Sequence, residues 1–294
     1  MKCETLIMAK ETNITWTRST FNPWVGCTKV GPGCDHCYAE ALDARKVFQG
    51  AVHFGAGVPR MRTSVQNWNQ VLKWHRKAGE ERTAGVPWNG RPGFWPVFCA
   101  SLADIFDNET PQAWRRDLWD LIGKTDNLSW LLVTKRIGNV AKMVPQAWLE
   151  SGFPKHVRLI VTVVNQDEAD RDIEKLLALP CKNGISYEPA LGPVDWSPWI
   201  SHTSGEYAID WIICGGESNQ KGHNARQFDL DWARSTITQC KEANVPCFIK
   251  QLGSNVAPIN IESGSVRERL WLKDRAGANI AEWPQDLRVQ EFPL

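Results

Sequence analysis

What this chain lacks narrows its roles before any motif is read. It has no run of about 18 apolar residues, so no transmembrane helix and no membrane partner are expected. Its first ten residues, Met1 to Lys10, hold only a short apolar stretch, and no secretory leader is expected there. It has no excess of either charge. The 34 Lys and Arg against 33 Asp and Glu give a formal net charge of +1, which excludes a global electrostatic footprint for nucleic acid and leaves only a local basic groove. Its cysteines do not form the pattern of a disulfide framework, so a reducing cytoplasm with thiols free or metal-bound is the expected setting. It has no second Cys-x-x-Cys pair, the usual other half of a structural zinc ligand set. No long linker divides it, and a monomer is expected.

What the chain does have is nine cysteines and sixteen tryptophans. Most of the tryptophans are expected to fill the core and the gaps between elements, with some available to stack on bases. Three cysteines fall within eleven residues, in Asn22-Pro-Trp-Val-Gly-Cys27-Thr-Lys-Val-Gly-Pro-Gly-Cys34-Asp-His-Cys37-Tyr-Ala. Thiolates so close suit an iron–sulfur cluster or a zinc ion. A 4Fe–4S cluster held by Cys27, Cys34 and Cys37 alone would leave one iron open to a substrate or cofactor. A zinc knuckle completed by His36 or a distant residue is the alternative. Gly31, Pro32 and Gly33 let the loop wrap a bulky group.

Short apolar runs alternate with amphipathic stretches. Strands are expected near 14–17 and at 96–101, 129–134, 158–163, 184–188, 210–214 and 245–250. Helices are expected over 111–124, 140–150, 168–179 and 229–243, where apolar residues recur at helical spacing. Near-continuous apolar strands separated by helices imply a parallel sheet covered on both faces. About seven such units suit an α/β fold of the TIM-barrel type, with some of its strands missing. A doubly wound open sheet is the competing arrangement. The barrel is expected over residues 1–254, with an insertion at 50–95 rich in Gly, Pro, Arg and Trp. Residues 255–294 are expected to pack on it as an extension.

Each expected strand hands over to polar groups. These are Ser101 and Asp104; Thr134, Lys135 and Arg136; Asn165 and Gln166; Glu188; Gly215, Gly216, Glu217 and Ser218; and Lys250 and Gln251. In a parallel barrel they would ring the C-terminal mouth, where barrel enzymes place their active sites. The cysteine loop, following the first strand, would open there too. Glu188, between an apolar strand and Pro189, needs a partner, for which Lys135, Arg136 and Lys250 are candidates.

Seven landmarks carry a resemblance. They are Asn22-Pro-Trp-Val-Gly-Cys27, Gly33-Cys34-Asp-His-Cys37-Tyr-Ala, Ser101-Leu-Ala-Asp104-Ile-Phe, Leu132-Val-Thr-Lys-Arg136, Tyr187-Glu-Pro-Ala-Leu-Gly-Pro193, Gly215-Gly-Glu217-Ser and Ile249-Lys-Gln-Leu-Gly253. Together they resemble the phage Gp37/Gp68 family, a DUF5131-like family with a three-cysteine motif. That family in turn is similar to radical S-adenosylmethionine (SAM) enzymes. The usual motif of those enzymes has three residues between its first two cysteines, where this chain has six, Thr28 to Gly33. The two-residue gap before the last cysteine is kept, and His36 stands where the superfamily has an aromatic ring near the SAM adenine.

The resemblance implies a 4Fe–4S cluster on Cys27, Cys34 and Cys37. Its open iron would chelate SAM, and an electron donor such as flavodoxin or ferredoxin would supply the cluster. It further implies Ser101 and Asp104 as acceptors for the SAM amino group, with helix capping the alternative for Asp104. Thr134, Lys135 and Arg136 would lie by the SAM carboxylate or a substrate phosphate, with a solvated loop as the alternative. Asn165 would reach the ribose, or cap a helix. Gly215 and Gly216 would allow close backbone approach, and Glu217 would accept from a base or ribose. Lys250 would bind an anion. Cys214 would give a hydrogen atom to a substrate radical, as a cysteine does in DNA photoproduct lyases, or be a small buried hydrophobe.

In the insertion, Arg60, Arg62, Trp68, Trp74, His75 and Arg76 mix cations with rings, as a nucleic-acid strand or a plain surface lid would have. The implied activity is on DNA or another nucleic acid, in repair or modification. A radical SAM enzyme of peptides or small metabolites and a non-enzymatic zinc or iron–sulfur protein are the other two classes.

Overall fold

The computed structural model describes residues 8–9, 12–200, 208–257, 259–260, 267–268 and 270–293. Eight strands make the main sheet: β1 (Met8–Ala9), β2 (Ser19–Phe21), β3 (Pro96–Cys99), β4 (Ser129–Thr134), β5 (Val157–Thr162), β6 (Lys182–Tyr187), β7 (Ile212–Gly215) and β8 (Cys247–Gln251). They lie side by side in chain order. β1 runs antiparallel to β2, and the other seven are parallel, curled into the half-barrel of an incomplete TIM-type fold. A doubly wound sheet reverses its strand order at a switch point. The unbroken order here excludes that arrangement.

The helices are α1 (Tyr38–Asp43), α2 (Val65–Thr83), α3 (Gln112–Gly123), α4 (Ile137–Met143), α5 (Gln146–Ser151), α6 (Gln166–Leu177), α7 (Ser197–Ile200) and α8 (Leu230–Glu242). None among the described residues is long and apolar enough to cross a membrane. Three expectations shift. The first parallel strand lies at 19–21, not 14–17. The earlier residues form a turn closed by Thr17 N to Ile14 O at 3.2 Å, so Trp16 is buried without its backbone joining the sheet. The helix expected over 140–150 is two helices. Pro145 has no N–H to continue α4, and Val144 before it is extended at φ −82°, ψ 160°. The insertion contains α2, a 19-residue helix that buries Asn67, Val71, Trp74 and Ala78 along one stripe.

The described chain divides into two compact units. The first takes in the described residues up to Val30, Tyr38–Ile160 and Leu179–Lys182. The second takes in Gly31–Cys37, Val161–Ala178 and the described residues from Asn183 on.

In the second unit, strand register sorts the side chains into faces. Tyr187, Cys214 and Ile249 are aligned neighbours, as are Ser186, Ile213 and Phe248. Tyr187 packs edge-on against Trp196, whose indole donates to Thr236 of α8 at 3.1 Å, so the first row faces the helix layer. By the two-residue alternation of strands, the second row and Glu188, Gly215 and Lys250 face the other way. Phe248 on that face meets Trp211 and Phe292, with ring centroids at 6.5 and 5.2 Å. The C-terminal residues extend the sheet edge: Ile249 N donates to Val289 O and Glu291 N to Cys247 O, at 2.8 and 2.9 Å.

Candidate functional site

In the first unit the chain leaves β2 through Asn22 and runs through a short strand, Trp24–Val25, paired with Met61–Arg62, to Cys27. Gly26 makes this path possible. Its φ is +106°, and a Cβ there would stand 2.1 Å from the His53 carbonyl oxygen, so no side chain fits. The Cys27 carbonyl accepts from Gly55 N at 3.0 Å, and Gly26 N donates to Leu102 O at 2.9 Å. Two arginines hold the next residue. Arg60 donates to Thr28 Oγ1 at 2.7 Å, and Arg136 donates to the Thr28 carbonyl at 2.5 Å. Both also pair with Asp107, at 2.7 and 3.3 Å.

Arg60 is therefore not a substrate cation. Its guanidinium is fully buried and also donates to His53 O, Gly55 O and Val58 O at 3.1, 2.9 and 2.8 Å. Arg136, expected beside a SAM carboxylate or substrate phosphate, is likewise turned to Thr28 and Asp107. Trp74 is buried in the core. Arg62 lies over the Trp68 ring at 4.6 Å and pairs with Asp117 at 2.7 Å. His75 Nδ1 accepts from Asn127 N at 3.3 Å. Arg76, with Lys73 and Lys77, stays exposed on the outer side of α2.

Asp104 is a staple. Its carboxylate accepts from Phe106 N at 2.9 Å, from Lys135 N at 3.0 Å and from Thr134 Oγ1 at 2.9 and 3.0 Å. Thr134 Oγ1 in turn accepts from Arg136 N at 2.8 Å. Burial pushes the Asp104 carboxyl above its usual range, against the pull of those donors and of Arg136. Those contacts tie the β3 and β4 ends together. Lys135 joins the same tie through its backbone N–H. Ser101 is held by Asn22, whose Nδ2 donates to Ser101 Oγ at 3.1 Å, and its carbonyl accepts from Tyr38 OH at 2.5 Å.

In the second unit, Asn165 caps α6: its Oδ1 accepts from Glu168 N at 3.0 Å, and Glu168 reaches back to Val164 N at 3.2 Å. Cys214 is fully buried on the helix-facing side, the side opposite Glu188 and Lys250, and burial raises its thiol pKa well above the usual value.

Glu188 does find a partner. Lys250 Nζ lies 2.8 Å from Glu188 Oε1, and Ser186 Oγ donates to Oε2 at 3.3 Å. Gly215 lies directly beneath, where a Cβ would come 3.2 Å from Glu188 Oε1. A Cβ on Gly216 would strike the Leu252 carbonyl at 2.5 Å. Gln251 Nε2 donates to Gly216 O and Ser218 Oγ, both at 2.8 Å.

Glu217 lies nearly buried among donors. Oε2 lies 2.9 Å from His36 Nδ1 and accepts from Arg226 N at 2.9 Å and Arg226 Nε at 3.1 Å, while Oε1 accepts from the far Arg226 nitrogen at 2.6 Å. Burial, the largest single influence, would raise its pKa, but Arg226 and His36 together outweigh it and hold the carboxyl below its usual range. A carboxylate only accepts, so His36 carries its ring proton on Nδ1. The His36 ring stacks on His223, with centroids at 4.9 Å. Arg226 and His223 escaped the sequence reading. Their only signal was a cation and an imidazole within ten residues of Gly215-Gly-Glu.

Cys27, Cys34 and Cys37 are half-buried, whereas the other described cysteines, Cys99, Cys181, Cys214, Cys240 and Cys247, are buried, and none of the eight is in a disulfide. Among the described residues no three His, Cys, Asp or Glu side chains gather as ligands of one metal ion. Thiolates are the usual ligands of iron–sulfur clusters, and the donor chemistry of these three half-buried thiols is of that kind.

Two variants of spore photoproduct lyase, one Tyr-to-Phe and one Cys-to-Ser, are similar solved structures. They share 12% and 13% identity with TM-scores of 0.40 and 0.38, over 68% and 81% of this chain. The chain spans 56% of the length of each. No curated protein matches it. The family described as "Protein of unknown function (DUF5131)" matches residues 11–278, from before β2 to beyond β8, and the chain belongs to that family.

Proposed function

We propose that this protein is a radical SAM enzyme that acts on nucleic acid. The observation carrying the reading is the loop after β2, which presents three half-buried thiols without disulfides on a parallel half-barrel. Cys27, Cys34 and Cys37 would hold a 4Fe–4S cluster, with the fourth iron left to SAM. When bound, such a cluster supplies the electron that breaks the sulfur–carbon bond of SAM and starts radical chemistry.

The chain's own residues do the positioning. Gly26 and Arg60 fix the backbone at Cys27. Glu188 and Lys250 offer a paired anion and cation on the sheet face opposite Cys214, suited to orienting a polar ligand group without a net charge cost. Bare backbone at Gly215 lets a ligand approach closely. Lys73, Arg76 and Lys77 supply exposed cations on α2 for a phosphate backbone.

The test is anaerobic reconstitution with iron and sulfide, followed by metal analysis and electron paramagnetic resonance. The expected result is close to four irons per chain, lost in Cys27→Ala, Cys34→Ala and Cys37→Ala. Zinc in place of iron would overturn the reading. Salt-dependent retention of a DNA duplex would support the substrate class, and no retention at low salt would turn it to peptides or metabolites.

A further inference from the structure

We propose that Glu217 and Arg226 are positioning residues that set the Cys34–Cys37 segment in place, rather than ligand-binding groups. The inference rests on the reading of that segment as cluster-holding.

The segment Gly31–Cys37 has little structure of its own. It forms one short 3-10 turn, Pro32–Cys34, closed by Cys34 N to Gly31 O at 2.9 Å and Asp35 N to Pro32 O at 3.2 Å. No side chain caps that turn. Arg226 gives it fixed points. One guanidinium nitrogen donates to the Pro32 carbonyl at 2.9 Å and lies 3.5 Å from Asp35 Oδ2. The other nitrogens fork onto Glu217. Glu217 then reaches His36, the residue between Asp35 and Cys37. One arginine and one carboxylate therefore touch Pro32, Asp35 and His36, which bracket Cys34 and precede Cys37.

Four donor contacts converge on the two oxygens of Glu217, and its side chain is 9% exposed. A base or ribose would have to compete with those donors for it. Backbone holds Glu217 from below: a Cβ on Gly253 would stand 2.6 Å from its carbonyl oxygen, and Ser254 N donates to that oxygen at 2.8 Å. The planar fork of arginine suits this work. It binds a carboxylate with two nitrogens and still presents another to a carbonyl, which lysine cannot do.

The experiment compares the full-length apo chain with Arg226→Ala, Arg226→Lys and Glu217→Gln. Hydrogen exchange is read at the Cys34 and Asp35 amides, and iron and sulfide content with the resonance spectrum is read after reconstitution. Circular dichroism and the thermal midpoint identify any variant that fails to fold, in which case Glu217→Gln carries the test. The expected result is exchange about tenfold faster in Arg226→Ala and Glu217→Gln, with iron occupancy down severalfold or an altered spectrum. Arg226→Lys should recover only part of the protection.

Unchanged exchange overturns the clamp. Faster exchange with wild-type iron content and spectrum overturns the positioning role. Faster exchange in the variants, with a wild type that takes no cluster, supports the clamp while overturning the cluster reading on which the role depends.

Discussion

Glu217 and Asp104 are both carboxylates at strand ends, and both are saturated by the protein. Their environments differ. Arg226 keeps Glu217 ionised, whereas burial raises the pKa of Asp104. Asp104→Asn should leave one of its donors, most directly Lys135 N, facing an amide, at a cost of about 1–3 kcal/mol in chemical denaturation. A change below 0.5 kcal/mol would show that the carboxylate is dispensable.

Glu81 gives a pH-dependent case. Arg18 forks onto it at 2.6 and 3.1 Å while lying 3.6 Å over the Trp95 ring. The hydrogen bond to Arg18 is the main cause holding Glu81 below its ordinary 4.5. A lowered carboxyl contributes stability that is fully present above the unfolded pKa and is lost as pH falls through the folded one. Glu81→Gln should therefore cost about 1.5–3 kcal/mol at neutral pH, and the difference should shrink as pH falls below 4.5. A penalty that stays constant with pH would contradict it.

Among the elements, the strands were the most legible in the sequence. Ser129–Thr134 reads and folds over the same residues, because its apolar run Trp130–Leu132 is buried. The split of the 140–150 helix was also written in the sequence, at Pro145. α2 was hidden for a different reason. Its buried stripe, Asn67, Val71, Trp74 and Ala78, sits among charged residues and between glycine- and proline-rich flanks, so composition masked periodicity. The cysteine motif was legible because its spacing is local. Arg226 was not, because its partners Pro32 and Asp35 are nearly two hundred residues away in the chain. The turn after β7 is tightly packed. Gly216→Ala would press a methyl against the Leu252 backbone, where a Cβ would approach to 2.5 Å of the oxygen and 2.9 Å of the carbon. About 1–3 kcal/mol of destabilisation is expected, with a lower thermal midpoint as the readout. A midpoint equal to wild type would show that the turn yields.

At the scale of the whole molecule, sequential parallel strands put the β2 to β8 exits in a single series, and the chain spends its polar residues there. Several of those residues turn out to hold the backbone: Asp104 ties the β3 and β4 ends through Thr134, Asn165 caps α6, and Glu217 binds Arg226. The proposed chemistry rests on fewer groups, namely the three accessible thiols, the Glu188–Lys250 pair and the bare backbone at Gly215. The most direct test of that account is SAM cleavage by the anaerobically reconstituted and reduced protein, with 5′-deoxyadenosine measured by mass spectrometry. The account predicts deoxyadenosine from the wild type and none from a protein with Cys27, Cys34 and Cys37 changed to Ala. Equal amounts from both, or none from a wild type carrying its full cluster in the presence of nucleic acid, would contradict it.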